Sequence, residues 1–292
     1  MALTKVIGNG LGAVTQDGGA TFNEGSADVD FRVESNGLTN AFVVDGGNNG
    51  VGINATPRSD LHTTWSQMFI GQKGSIISER SSGGGIPGTK LTDNLYIDSD
   101  TGAAACLETN QASQITLEAG QLTYQSAVSA SAGAAPTLVT HMNIDASGAM
   151  TKPLQPAFLA TKSASQDNFA VGSGVTITFD TEVFDQNSDY NNSTNIFVAP
   201  VTGRYQLSFH IRMTTLDSAS GYYYIQLVTS NRSYISIVDP DFGQDNGHFT
   251  FSTSNLADMD ANDQAYIIVV QQNGTQQTDF TADSYFSGAL IC

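Results

Sequence analysis

From Tyr205 to Met213 the chain alternates without a break. Tyr205, Leu207, Phe209, Ile211 and Met213 are apolar, and the residues between them are polar. Side chains on a β-strand point to opposite faces with a period of two, so this run predicts a strand with one buried and one wet face. Val175, Ile177 and Phe179 repeat the pattern, as do Tyr223, Ile225 and Leu227, and Phe249 with Phe251. Tyr266 to Val270 is continuously apolar, as expected of a strand covered on both faces. Nearer the N-terminus, Phe31 and Val33 alternate with polar residues, and Val51 and Ile53 flank Gly52. Between these two stretches, Asp45-Gly-Gly-Asn-Asn-Gly50 is turn chemistry. Met68–Ile70, Asn94–Asp98 and Gln114–Glu118 are further strand candidates, and Met142-Asn-Ile-Asp-Ala-Ser-Gly148 is a strand running into an Asp/Gly turn. Gly83-Gly-Gly85 and Ala127 to Pro136 are predicted loops, punctuated by Gly, Ser and Pro. No apolar stripe at helical spacing lasts more than two turns. The pattern predicts an all-β chain. Its regular strands over 153–292 indicate a β-sandwich, with a domain boundary at Lys152–Pro153.

Composition narrows the class. The chain has 292 residues, enough for two or three domains and a sizeable core. Charged residues are 13%, against ~25% in ordinary globular domains, while 40% are apolar, so disorder is not expected. Net charge is −17 and the 11 basic residues form no cluster. This argues against a nucleic-acid partner and against direct contact with an anionic membrane surface. The longest apolar run, Ala265 to Val270, is far shorter than a membrane-spanning helix, so no membrane insertion is expected. The opening Met1-Ala-Leu-Thr-Lys-Val-Ile-Gly8 lacks the pattern of a secretory signal, and export by that route is not expected. Cys106 and Cys292 make no zinc or redox spacing and are expected as two free thiols.

Candidate chemistry is sparse. His62, His141, His210 and His248 lie in no metal spacing, no Gly-x-Ser-x-Gly elbow occurs, and Gly8-Asn-Gly10 lacks the strand–turn–helix frame of a phosphate loop. No pair of carboxylates stands out as a glycosidase pair. No catalytic residue is assigned. Asp239, Asp241 and Asp245 form one acidic loop, and Asp258, Asp260 and Asp263 another. Hard oxygen ligands on loops suit calcium, which makes the first three candidate ligands, although neither loop has the twelve-residue calcium pattern. Otherwise no cofactor is expected. In Tyr222-Tyr-Tyr224 the middle ring would face inward, leaving Tyr222 and Tyr224 outside. An exposed tyrosine offers an apolar face and a polar tip to a carbohydrate, a protein or a neighbouring subunit. Tyr222 and Tyr224, with His210 and Arg212 from a wet strand face, are the candidate receptor-binding residues. The sequons at Asn191 and Asn273 are expected by chance in a chain rich in Asn, Ser and Thr.

Three stretches carry a family resemblance. Gln155-Pro-Ala-Phe-Leu-Ala160, Phe197-Val-Ala-Pro-Val-Thr-Gly-Arg-Tyr-Gln-Leu-Ser-Phe209 and Tyr285-Phe-Ser-Gly-Ala-Leu-Ile291 resemble the start, middle and end of the globular head of the complement first component's q subunit. That head is a jelly roll shared with tumour-necrosis-factor-like ligands. The resemblance implies a domain that trimerises and binds ligands without catalysing, and some such heads bind calcium. The block from Asp30-Phe-Arg-Val-Glu-Ser35 through Ala41-Phe-Val-Val-Asp45 to Ile53 is similar to a repeat of bacteriophage tail fibres, in which three chains wind into a narrow β-structured stalk. The expected organisation is a virion anchor at 1–27, a β stalk at 28–60, a middle β domain and connector at 61–152 and a jelly-roll head at 153–292. Leu3, Val6, Ile7, Leu11 and Val14 are the apolar residues expected to seat the anchor on a phage tail, adaptor or capsid protein. The expectation is a homotrimeric virion fibre or spike whose head binds a host surface glycan or protein. A capsid-surface head fibre or decoration protein, and a polysaccharide-degrading tail spike, are the alternatives.

Overall fold

The computed structural model describes residues 30–48, 50–79 and 88–292, and all regular structure among them is β. No helix among the described residues is long and apolar enough to cross a membrane. The chain divides between Thr151 and Lys152 into two units. The expected anchor residues Leu3, Val6, Ile7, Leu11 and Val14, and the predicted Gly83–Gly85 loop, lie outside the described residues.

Among the described residues, twelve strands belong to the first unit. They are β1 (Phe31–Ser35), β2 (Leu38–Asp45), β3 (Gly50–Ile53), β4 (Trp65–Ile70), β5 (Gly74–Glu79), β6 (Thr89–Asp93), β7 (Leu95–Ile97), β8 (Ala104–Cys106), β9 (Asn110–Glu118), β10 (Gln121–Ala130), β11 (Val139–Ile144) and β12 (Met150–Thr151). Ten of them form one sheet in the order β1-β2-β3-β4-β5-β6-β9-β10-β11-β12, while β7 and β8 pair as a separate hairpin. The pairings are antiparallel except β3 with β4, which run parallel. Through that pairing β1–β3 share a single sheet with the strands that follow. The predicted loop over Ala127–Pro136 is shorter than expected, because β10 continues to Ala130, where Ala130 still pairs with Asn110 of β9 beyond a register shift.

The β7–β8 hairpin is held on one face of this sheet by polar side chains. Gln67 bonds the Ile97 backbone twice, donating to its oxygen at 3.2 Å and accepting from its amide at 3.1 Å. Ser75 Oγ donates to Leu95 O at 2.8 Å and lies 2.6 Å from Thr92 Oγ1. Asn94 donates to Glu108 O and Gln111 O and accepts from Glu108 N. Buried polar groups are tolerated where they are hydrogen-bonded, so this face is covered although it carries many of them. Small apolar clusters, Phe69–Tyr96–Ala105 and Leu95–Cys106–Ala112, fill the remaining space.

The second unit contains β13 (Ala157–Thr161), β14 (Val175–Thr176), β15 (Thr181–Asp185), β16 (Tyr190–Asn191), β17 (Ile196–Val198), β18 (Gly203–Leu216), β19 (Tyr222–Thr229), β20 (Ser233–Val238), β21 (Asn246–Met259), β22 (Gln264–Gln272), β23 (Asp279–Phe280) and β24 (Tyr285–Leu290). One sheet has the order β15-β13-β24-β18-β21, with β23 also on β18, and the other β16-β17-β22-β19-β20, with β14 also on β22. This is a jelly-roll sandwich. The alternation from Tyr205 to Met213 is realised on β18, where each odd residue of that run is buried. Tyr223, Ile225 and Leu227 close the core from the opposite sheet. Phe158 sits at the centre, stacked on Tyr190 and on Phe197 at 4.9 Å each and edge-on to Phe286 at 5.0 Å. Gly288 of β24 faces Phe158 across the β13–β24 ladder, and a Cβ there would lie 2.7 Å from the ring and 2.6 Å from a Leu207 methyl. The absence of a side chain lets the ring in. On β22 the continuous apolar run is only partly covered outside: Val270 is buried, whereas Tyr266 and Ile268 are half-buried.

Candidate functional site

The four candidate receptor residues fall on two opposite faces of the head. His210 and Arg212 belong to β18, and Tyr222 and Tyr224 to β19 in the other sheet. All four alternate with buried neighbours, so each pair points outward from its own sheet.

On the first face, register places Ser252 and Tyr285 on either side of His210. His210 Nδ1 lies 2.7 Å from Ser252 Oγ, and its ring stacks on Tyr285 with centroids 5.0 Å apart and planes 6° from parallel. Arg212 pairs with Asp283, and its other terminal nitrogen lies 3.5 Å from His248 Nδ1. Beside them runs a band of short side chains: Gln206 donates to Ser254 at 2.6 Å, and Ser208 lies 2.6 Å from Ser254. A hydroxyl against an imidazole is half of a nucleophilic pair, but catalysis would need an acid orienting the imidazole. Here the imidazole is placed by an aromatic stack on an exposed sheet. The polar groups of this face bond one another.

On the second face, the rings of Tyr222 and Tyr224 stack with centroids 6.2 Å apart. Ile237 lies opposite Tyr224, and Ile235 opposite Gln226, on the edge strand β20. Ile235 and Ile237 are 57% and 66% exposed. The inner residues Tyr223, Ile225 and Leu227 are buried, and the Tyr223 hydroxyl accepts from Asp217 N at 3.0 Å and lies 2.8 Å from Thr278 Oγ1. The result is an outward aromatic and aliphatic patch on a fixed backbone. Ile235 and Ile237 were not singled out from sequence because both faces of Ser233-Tyr-Ile-Ser-Ile-Val238 carry large apolar residues. Tyr285, Ser252 and Asp283 lie far from His210 and Arg212 in sequence, and only the strand register joins them.

The acidic loops are occupied by their own chain. Asp245 accepts from Ser218 N at 2.9 Å and Ser218 Oγ at 2.7 Å, and these bonds hold its carboxyl below the usual carboxylate range. Asp239 accepts from Asp241 N at 3.3 Å, as in an Asx turn. Asp258 pairs with Arg232 at 2.8 Å, and Asp263 accepts from Asp260 N. The structure does not gather Asp239, Asp241 and Asp245: among the described residues no group of three or more His, Cys, Asp or Glu side chains could hold a metal ion. Cys106 is buried and Cys292 exposed, both as free thiols.

No curated protein matches the chain. Among solved structures, the globular domain of the zebrafish complement 1qA protein is similar at 19% identity, with a TM-score of 0.37, covering 47% of this chain and 98% of that one. Murine APRIL is similar at 8% identity, with a TM-score of 0.36, covering 47% of this chain and 99% of that one. C1q and tumour-necrosis-factor-like domains are commonly homotrimeric and ligand-binding rather than enzymatic. Residues 157–291, nearly the whole of the second unit, match the family model of the C1q domain.

Proposed function

We propose that the chain is a non-enzymatic, homotrimeric fibre or spike protein of a bacteriophage virion, fixed to the particle through residues 1–27 and binding a host surface glycan or protein through its C-terminal head. The observation that carries this reading is the C1q-domain match over residues 157–291, following a block over Asp30–Ile53 that resembles a fibre repeat. The geometry supports a division of labour between the two faces of the head. The serine-rich face with His210, Arg212 and Tyr285 suits close approach of a second copy, because its polar groups already bond one another and Leu256 and Tyr285 offer apolar surface. That moves His210 and Arg212 from receptor contact to subunit contact. Tyr222, Tyr224, Ile235 and Ile237 then point away from the partner subunits and meet the receptor. Large aromatic and aliphatic side chains on a rigid strand are favourable contact groups, and three equal sites add avidity.

The test is competition. Host cells pre-incubated with saturating protein should adsorb the phage more slowly, and their surface sugar should remain intact. Unchanged adsorption would overturn the receptor role and favour capsid decoration. Sugar release would favour the polysaccharide-degrading spike.

A further inference from the structure

The ten-stranded sheet of the first unit buries a mixed polar and apolar face and leaves rows of apolar residues open on the other. Strand register sets Val51, Met68, Ile76, Leu91, Ile115 and Tyr124 directly opposite one another on six neighbouring strands, so they share one face. A second row, Leu117, Leu122, Ile144 and Met150, runs beside it on the same face. None of these residues is buried, and Leu91 and Leu117 are 55% and 54% exposed. On the other face Gln67, Ser75, Thr92, Gln114 and Thr116 are buried beside Val43, Phe69, Ile77 and Ala112. An antiparallel sheet with one solvated face ordinarily turns polar residues to water, and this one instead leaves two uncharged rows exposed.

We propose that this face is the interchain core of the first unit, covered in the homotrimer by the same face of the other copies. The inference rests on the homotrimer reading above and adds where the trimer of the first unit is held. Three features favour a second copy as the occupant. Neither row contains a charged residue, so two chains of net charge −17 can meet there without opposing like charges. Uncharged rows of Val, Ile, Leu and Met make no directional demand on their partner, so the same face of each chain can meet around one rotation axis. At ~4.8 Å between strands and ~7 Å between same-face residues, the two rows together cover about 340 Å². A contiguous apolar patch of that size, ~300–600 Å², is what marks a contact site on a soluble chain.

The test uses the full chain with Cys292→Ser, so that buried Cys106 is the remaining native thiol. Ile115→Cys is compared with Ala103→Cys, an exposed position in the β7–β8 hairpin. If the rows pack on each other, maleimide should label Ile115→Cys about tenfold more slowly than Ala103→Cys, as expected of an interface packed like a protein interior. Mild oxidation should also link Ile115→Cys chains in pairs. A trimer in which Ile115→Cys labels as fast as the control and forms no interchain link would overturn this inference while leaving the trimer reading intact. Protection that persists in a monomer would show that the chain covers its own sheet, and would also overturn it. A wild-type monomer with a freely labelled Ile115→Cys would remove both readings together.

Discussion

Gly288 and Phe158 give a sharp test of how the head is packed. Gly288 has an ordinary negative backbone angle, so Gly288→Ala adds no backbone strain and acts through volume alone. The new methyl would sit 2.7 Å from the Phe158 ring and 2.6 Å from the Leu207 side chain, closer than real Cβ contacts come. The leucine can turn aside, but the Phe158 ring is clamped between Tyr190 and Phe197. Overpacking of this kind costs about 1–3 kcal/mol. Phe158→Leu alone removes the stacks on Tyr190 and Phe197 and leaves a partial cavity, at about 1–2 kcal/mol. In the double variant the shorter leucine vacates the space the methyl needs. The two costs should therefore fail to add, with a favourable coupling of about 1 kcal/mol, as contacting residues show. The assay is urea denaturation of residues 152–292, followed by far-ultraviolet circular dichroism at one fixed protein concentration. Additivity within ~0.3 kcal/mol, or a Gly288→Ala variant as stable as wild type, would refute the placement of the ring.

Lys162 gives a pH prediction: it is 6% exposed, its ammonium donates to Thr178 O and Thr178 Oγ1 at 2.8 Å and to Gln166 at 3.3 Å, and burial pushes its pKa down to about 8. The unfolded lysine holds its proton to 10.5 while the folded one sheds it near 8, so stability should rise with pH between them. Wild type should gain about 2 kcal/mol over Lys162→Met from pH 7.5 to 9.5, and parallel curves in urea titrations would contradict it. The window closes near pH 10, where tyrosines such as Tyr190 and Tyr223, whose burial raises their pKa, ionise more readily unfolded and erode stability. Asp217 is buried and accepts from Ala219 N at 2.8 Å, Thr275 N at 2.7 Å and Gln276 N at 2.8 Å. Asp217→Ala strands these amides and should cost about 2–4 kcal/mol in the same denaturation assay, and a cost under ~0.5 would refute its role as the loop's anchor. Tyr222→Ala with Tyr224→Ala should lower binding of labelled protein to host cells at least ~10-fold, with melting temperature nearly unchanged. Retained binding would refute the ligand role of that face.

The head was largely legible because its alternation is strict. Tyr205 to Met213 announces a strand and its buried side, and Tyr223 between Tyr222 and Tyr224 announces the outward pair. Partners across strands were not legible: Tyr285 and Ser252 join His210 through register, which no local pattern records. In the first unit, Gln114-Ile-Thr-Leu117 tells which residues share a face but not which face is covered. The side that is covered is the one carrying Gln114, since Gln67, Ser75 and Asn94 bond the β7–β8 hairpin and its flanks there. Periodicity carries no trace of those long-range bonds. The candidate calcium loop failed to assemble for a similar reason: spacing brings Asp239, Asp241 and Asp245 near in sequence, but Ser218 claims Asp245.

The central claim is a homotrimer, and the measurement that tests it most directly is the mass of the full chain by light scattering at micromolar concentration. The account predicts a single species of three times the 30.8 kDa chain mass. A monodisperse monomer would contradict it.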